Sequence, residues 1–248
     1  MSQIEIRSSV ELPSIRKPVT LVTEDNLKLV AELALPLSKP PVATLIILHP
    51  LPTAGGFMDS HIYRKAANRL PALADLAVLR FNTRGTESPH GKSEGSFDGG
   101  NAEQFDVKAA VAYAIKENLP NLWLVGWSFG TELALKYGPD LDILGAILLS
   151  PPLHRTSDAE LIRWNQTDKE LVALIPEHDD YLKPAEAAIR FSLVPEIELI
   201  NVDDAKHLWV GESSTKRVLN EIVRVVNPDA YPLPDFISYS GGEPTPHE

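Results

Sequence analysis

One serine of the chain lies in a setting that suits nucleophilic chemistry. Ser128 stands at the centre of the run Gly126-Trp127-Ser128-Phe129-Gly130, with a glycine two positions away on either side. This pattern is typical of a sharp turn between a strand and a helix, which holds a serine hydroxyl clear of the backbone. A Cβ atom at either glycine would clash with backbone that the turn brings close. Ser128 is therefore the candidate nucleophile.

The residues around this run supply the strand and the helix that the turn needs. An apolar stretch, 122–125, ends directly before Gly126, and the helix-forming stretch 131–135 begins directly after Gly130. By composition alone, a chain of this length contains such a glycine and serine pattern roughly one time in ten. The flanking stretches, more than the motif itself, favour a nucleophile over an inert serine in a glycine-rich turn.

Predicted strands and helices alternate along most of the chain. Two runs, 19–23 and 27–35, flank the turn-prone segment 24–26 and predict a β-hairpin. Further strands are predicted at 44–48, 76–81, 122–125, 143–149, 170–175 and 197–202, and helices at 60–73, 102–117, 129–137, 184–191 and 214–226. This alternation predicts an α/β fold, with a mostly parallel sheet covered by helices on both faces.

These features resemble the α/β-hydrolase superfamily, and in particular the small bacterial serine hydrolases of the dienelactone-hydrolase-like group. That group carries a His-Pro segment after its third strand and an Arg-Gly turn after its fourth. The corresponding segments here are His49-Pro50-Leu51-Pro52 and Phe81-Asn82-Thr83-Arg84-Gly85. The resemblance covers roughly residues 19–226 and implies an α/β-hydrolase fold with a catalytic serine, acid and histidine in that chain order. Two features depart from the pattern of that group. The segment that should carry the acid lacks the usual glycine, and the polar loop after the Arg-Gly turn is longer.

A serine hydroxyl is a weak nucleophile and needs a neighbouring base, which four histidines after Ser128 could supply. His154 comes too early for the order that the resemblance implies, and His247 lies in the C-terminal tail. His207 falls between the last predicted strand and the last predicted helix, which is where the superfamily places its base. We therefore predict His207 as the general base, against the alternative of an ordinary surface histidine.

The acid that orients the base is expected at the end of the preceding strand, in the segment 176–184. Counting from Pro176, at the position that glycine usually holds, selects Asp179, whereas counting back from Pro184 selects Asp180. We favour Asp179 because the strand end is the more rigid anchor. Glu177 and His178 are the remaining alternatives.

A tetrahedral intermediate needs two N–H donors, one after the nucleophile and one in the loop after the third strand. Phe129 is the first predicted donor. In the second loop Pro50 and Pro52 have no N–H, so we predict Leu51. His49 is expected to cap the strand and orient this loop without a catalytic role.

Composition excludes several other kinds of site. The chain has 248 residues, 44% of them hydrophobic, a formal net charge of -11 and no cysteine. An acidic chain does not suit nucleic acid, and without cysteine there is no disulfide or thiolate zinc site. The histidines are scattered, with no H-E-x-x-H pattern, so no metal or other cofactor is predicted. No apolar run is long enough for a membrane helix or a signal-peptide core, which predicts a cytoplasmic protein without a membrane partner.

We expect one hydrolase domain at 19–229, after an N-terminal extension at 1–18 and before a flexible C-terminal tail at 230–248. Only about twenty residues separate the strands at 143–149 and 170–175, where a cap domain is usually inserted in this fold, so minimal or no cap is predicted. Trp127 and Trp209 are the predicted substrate-binding residues, and Phe129 and Trp164 are further candidate apolar walls.

The function that this resemblance implies is hydrolysis of a small carboxylic ester or related acyl compound, as by a carboxylesterase. An acyltransferase or a peptidase could use the same residues, and a binding protein could share the fold without catalysis. The sequence leaves the oligomeric state open.

Overall fold

Twelve strands are present in the computed structural model, which describes residues 2–7 and 9–239. They are β1 Ser2–Glu5, β2 Ile15–Val22, β3 Lys28–Leu35, β4 Ala43–Leu48, β5 Leu76–Phe81, β6 Glu87–Ser88, β7 Gly91–Lys92, β8 Leu122–Trp127, β9 Gly145–Leu149, β10 Glu170–His178, β11 Glu198–Lys206 and β12 Phe236–Tyr239. Eight of these strands form one sheet in the order β11-β10-β9-β8-β4-β5-β3-β2.

The sheet is parallel from β11 to β5 and antiparallel only where β3 and β2 complete it. Every residue of β4, β5, β8 and β9 is buried. Such continuous apolar strands are typical of a parallel sheet that is covered on both faces. The hairpin and the mostly parallel sheet that the sequence predicted are both confirmed.

Within the described residues, six α-helices cover the sheet: α1 His61–Ala74, α2 Glu103–Lys116, α3 Phe129–Tyr137, α4 Asp158–Ile162, α5 Pro184–Arg190 and α6 Glu212–Val226. Side chains of α2, α3 and α5 belong to one buried apolar cluster, and those of α1 and α6 belong to a second. The strands contribute alternate residues to the two clusters, as their side chains point to opposite faces of the sheet. Helices therefore lie on both faces.

The apolar stripe predicted for α2 is buried at Val107, Ala110, Val111 and Ala114. Ile115 also belongs to the predicted stripe, yet it is 47% exposed. Ile115 lies in the last turn of α2, one residue before the helix ends at Lys116, and its side chain is at the surface there.

Strands near the two termini form a small sheet of their own. β1 pairs antiparallel with β12, from Ser2 opposite Tyr239 to Glu5 opposite Phe236. The predicted N-terminal extension therefore contains β1 and the start of β2, and the predicted tail contains β12. Residues 240–248 of that tail lie outside the described residues.

The connection from β9 to β10 is short, and it carries only α4 and a 3-10 turn at Arg163–Gln166. Ser157 caps the start of α4 through a capping box with Glu160, and this cap stabilises the short helix. The segment contains no cap domain. Among residues 2–7 and 9–239, no helix is both long and apolar enough to span a membrane.

Candidate active site

Ser128 lies on a strained turn between β8 and α3. Its backbone has φ 52° and ψ −116°, a left-handed φ that serine rarely adopts. A Cβ at Gly126 would lie 2.4 Å from the Gly130 carbonyl oxygen, and one at Gly130 would lie 1.9 Å from that of Leu48. Glycine is therefore required on both sides of Ser128, because the neighbouring backbone approaches too closely for any side chain.

Three predicted site residues meet at the carboxyl ends of the parallel strands. The Nε2 atom of His207 is 3.0 Å from the Oγ atom of Ser128. Its Nδ1 atom is 2.9 Å from the Oδ2 atom of Asp179. A neutral imidazole that donates from Nδ1 to the carboxylate leaves Nε2 as an acceptor for the serine proton.

Asp179 is the acid that contacts His207, whereas Asp180 beside it is exposed. The Oδ1 atom of Asp179 accepts the N–H groups of Tyr181 at 2.8 Å and Leu182 at 3.2 Å, which fixes the carboxylate in the turn after β10. Burial raises the pKa of Asp179, but the hydrogen bonds from His207 and these N–H groups outweigh it and hold the pKa below its usual value. Asp179 is therefore ionised at neutral pH.

Glu177 and His178, the other residues considered for the acid, lie at the surface. Glu177 accepts the N–H of Asp204, and the three side chains Glu177, His178 and Asp204 place one ligand atom each within 4.8 Å of one another. All three are exposed, and exposed acidic groups are common without an ion.

Both predicted oxyanion donors line the cavity beside Ser128. Phe129 is the first residue of α3, so no carbonyl one turn earlier in the helix accepts its N–H. Leu51 lies in the loop after β4, where His49 donates from Nδ1 to the Pro50 carbonyl at 2.7 Å and accepts the Thr83 N–H at Nε2. A Cβ at Gly56 would lie 2.2 Å from the Pro50 carbonyl oxygen, so Gly56 permits this tight loop.

A cavity of about 160 Å³ opens beside Ser128 and His207. Its other lining residues come from the loops after β4, β9, β10 and β11, together with the two neighbours of Ser128. They are Pro50, Leu51, Ala54, Trp127, Phe129, Pro152, His154, Arg155, Tyr181 and Leu208.

Two of the aromatic residues predicted as walls do not line the cavity. Trp209 is wholly buried, within the apolar cluster that α1 and α6 form with the sheet, and does not line the cavity. Trp164 is also buried, and its indole N–H donates to the Leu135 carbonyl. Trp164 lies in the 3-10 turn after α4 and Trp209 in the turn after β11, and in such short turns the sequence does not reveal which way a side chain points. Trp127 and Phe129 do line the cavity.

Three further cavity residues were not predicted from the sequence: Tyr181, His154 and Arg155. The Tyr181 ring lies 4.5 Å from the His207 ring, edge to face, and 5.6 Å from that of His154. The Arg155 guanidinium lies over the Phe129 ring at 5.7 Å. Tyr181 follows the predicted acid by two positions, and that proximity was the available signal. His154 was considered only as a base, and as a wall residue it had no signal in the sequence.

Comparison of the sequence with protein-family models and with curated proteins yields no match. Solved structures do match. A serine hydrolase without a lid from Xanthomonas campestris has a TM-score of 0.72 at 24% identity, over 90% of this chain and 99% of its own. A serine hydrolase homologue from Coxiella burnetii has a TM-score of 0.71 at 22% identity, over 84% of this chain and 96% of its own.

An esterase from Pyrococcus furiosus is also similar, with a TM-score of 0.67 at 23% identity, over 86% of this chain and 93% of its own. Similarity over nearly the whole of each of these chains, together with the strand order and the turn at Ser128, identifies the architecture. The chain has the α/β-hydrolase fold, with no lid inserted between β9 and β10.

Proposed function

We propose that the chain is a serine hydrolase that cleaves a carboxylic ester or a related acyl compound through an acyl-enzyme. The observation that carries the proposal is the position of His207, whose two ring nitrogens lie within hydrogen-bonding distance of Ser128 and Asp179. Ser128 lines an open cavity, where a substrate carbonyl can reach it. Similarity to solved serine hydrolases and an esterase agrees with this reaction class.

In the first half of the reaction, the Oγ atom of Ser128 attacks the acyl carbon as its proton passes to Nε2 of His207. The ionised Asp179 stabilises the imidazolium that forms, and the N–H groups of Leu51 and Phe129 bind the oxyanion. When the tetrahedral intermediate collapses, the bond to the leaving alcohol breaks and the alcohol takes the proton from His207. An acyl-enzyme on Ser128 remains.

In the second half, water attacks the acyl carbon and gives its proton to His207. Collapse of the second intermediate returns that proton to Ser128 and releases the carboxylic acid. Because the β9–β10 connection inserts no lid over the cavity, water reaches the acyl-enzyme without a conformational change. Trp127 and Phe129 form its apolar wall next to the nucleophile and would contact the acyl group of the substrate.

Labelling with a fluorophosphonate tests the proposal, because this reagent reacts with a serine only when a neighbouring base activates it. We expect intact-mass analysis to detect one adduct per chain and no adduct in Ser128→Ala. Ser93→Ala is the matched control, since it removes a buried serine hydroxyl that donates to the Asn82 carbonyl and does not line the cavity. Labelling that persists in Ser128→Ala, or that disappears only in Ser93→Ala, would contradict the assignment of the nucleophile.

A further inference from the structure

The backbone carbonyl of His207 accepts two hydrogen bonds that the proposed reaction does not use. The Nε1 atom of Trp127 donates to it at 3.0 Å, and the Oγ atom of Ser150 donates at 3.1 Å. Both donors are nearly inaccessible to solvent, with Trp127 3% exposed and Ser150 1% exposed. Trp127 directly precedes the nucleophile, and Ser150 directly follows the neighbouring strand β9.

These contacts close a ring between the nucleophile and the base. His207 reaches Ser128 through its side chain and reaches Trp127 through its carbonyl, and Trp127 and Ser128 are joined by a peptide bond. The imidazole cannot move away from Ser128 by rotation of its own peptide unit without breaking the bond to Trp127. Ser150 ties the same carbonyl to β9, so two adjacent parallel strands fix the backbone of His207.

The turn that carries His207 has little packing around its other residues. Leu208 is 57% exposed and Val210 is 74% exposed, and only Trp209 between them is buried. One further tie comes from α1, where Nε2 of His61 donates to the Trp209 carbonyl at 3.1 Å. Trp209 anchors one point of this turn in the core, and the hydrogen bonds at the His207 carbonyl fix a second point two residues earlier.

We propose that Trp127 and Ser150 are positioning residues, which hold the His207 carbonyl and thereby set the distance from the imidazole to Ser128. This inference rests on the proposed serine-hydrolase function. Precise placement matters to such a reaction because an error of about 1 Å can lower the rate about a hundredfold. Trp127 would thus have a role in positioning the base as well as lining the cavity.

Two variants remove the donors with little other change. Trp127→Phe keeps an aromatic ring, and Ser150→Ala keeps the Cβ, so the strain of the positive φ at Ser150 is unaltered. We expect each to lower kcat on p-nitrophenyl acetate by about tenfold, the loss of one well-placed hydrogen bond. Ser150 does not line the cavity, so KM in Ser150→Ala should stay within about twofold.

Matched controls remove the same chemistry elsewhere in the core. Trp164→Phe loses a buried indole N–H that donates to the Leu135 carbonyl at 3.0 Å. Ser93→Ala loses a buried hydroxyl that donates to the Asn82 carbonyl at 2.7 Å. If the two donors have only a structural role, all four variants should show a similar fall in Tm. Their kcat values should then all stay close to that of the parent protein. The positioning role predicts that kcat falls only in Trp127→Phe and Ser150→Ala.

A proton NMR measurement separates failure of this inference from failure of the proposed function. The His207 Nδ1–H that bonds to Asp179 should give a low-field signal, assigned by its loss in His207→Gln. We expect the signal to shift or broaden in Trp127→Phe and Ser150→Ala and to stay unchanged in both controls. An unchanged signal and a kcat no lower than in the controls would overturn the inference. If the parent protein does not hydrolyse esters, the signal alone decides whether the two donors position His207.

Discussion

Two buried histidines follow strands of the same sheet, and their surroundings differ in ways that matter to chemistry. His49 follows β4, and both of its ring nitrogens bond to the backbone, at the Pro50 carbonyl and the Thr83 N–H. His207 follows β11, and its ring nitrogens face a carboxylate and a serine hydroxyl beside an open cavity. Residue type, burial and position after a strand are shared by the two histidines.

What distinguishes them is the nature of their partners. The Thr83 N–H holds the acceptor nitrogen of His49, so His49 can only fix the loop that carries Leu51. The partner of His207 at the same nitrogen is the Ser128 hydroxyl, which can transfer its proton to that nitrogen when the oxygen attacks a substrate. A histidine at a strand end is thus a candidate base only where its acceptor nitrogen faces a group that reacts.

The largest expected effect comes from removing the histidine at the cavity. His207→Ala should lower turnover of p-nitrophenyl acetate by at least about a thousandfold, because Ser128 then has no base. Unfolding in urea should show a stability close to that of the parent. His178→Ala, which removes an exposed histidine, serves as the control and should keep its activity. Comparable losses in both variants would mean that His207 is not the base.

The partner of His207 can be tested by a neighbouring pair of aspartates. Asp179→Asn removes the charge that stabilises the imidazolium, and we expect it to lower kcat by at least about a hundredfold. Asp180→Asn makes the same change one residue later, at an exposed position, and should alter kcat by less than about twofold. If Asp180→Asn has the larger effect, the contact between Asp179 and His207 is not the one that supports the reaction.

Much of this arrangement could be predicted from the sequence, since local pattern determined it. The turn at Ser128 requires glycines, the strand end places the acid in the segment 176–184 with Asp179 favoured, and the prolines leave Leu51 as the only residue of 50–52 with an N–H. The directions of Trp164 and Trp209 could not be predicted. Trp209 has φ 51° and turns into the core, and that direction depends on α1 and α6, which are distant in the sequence. The bonds to the His207 carbonyl likewise join residues that only the folded sheet brings together.

A smaller effect is expected for the histidine that is closed off from solvent. Burial lowers the pKa of His49 to about 4, although its hydrogen bond to the Pro50 carbonyl opposes this shift. The ordinary value is 6.5, so below that pH the unfolded chain takes up a proton that the folded chain does not. His49 should therefore reduce the free energy of unfolding by about 3 kcal/mol between pH 6.5 and 4.

Urea unfolding of the parent protein and of His49→Gln at pH 7, 5.5 and 4.5 measures this contribution. Glutamine can donate to one backbone group and accept from the other without titrating in this range. The stability of the variant should therefore fall less steeply with acid than that of the parent. Equal slopes would mean that His49 is not held neutral by burial, and the contrast with His207 would then lie only in their partners and in their access to the cavity.

The smallest expected effect concerns the open access that His207 has and His49 lacks. The β9–β10 connection forms no lid, and the cavity is about 160 Å³, so a short acyl group can be enclosed while a longer one extends into solvent. Each further methylene of the acyl chain then adds little binding energy, because it buries little apolar surface against Trp127 and Phe129.

Across p-nitrophenyl esters from acetate to decanoate, kcat/KM should change by only a few-fold per step, with a gentle decline. A sharp optimum at a long chain would require a deep apolar tunnel and would contradict an open site. Ser128→Ala provides the baseline for spontaneous ester hydrolysis at every chain length, so a slope that persists in that variant belongs to the esters and not to the cavity.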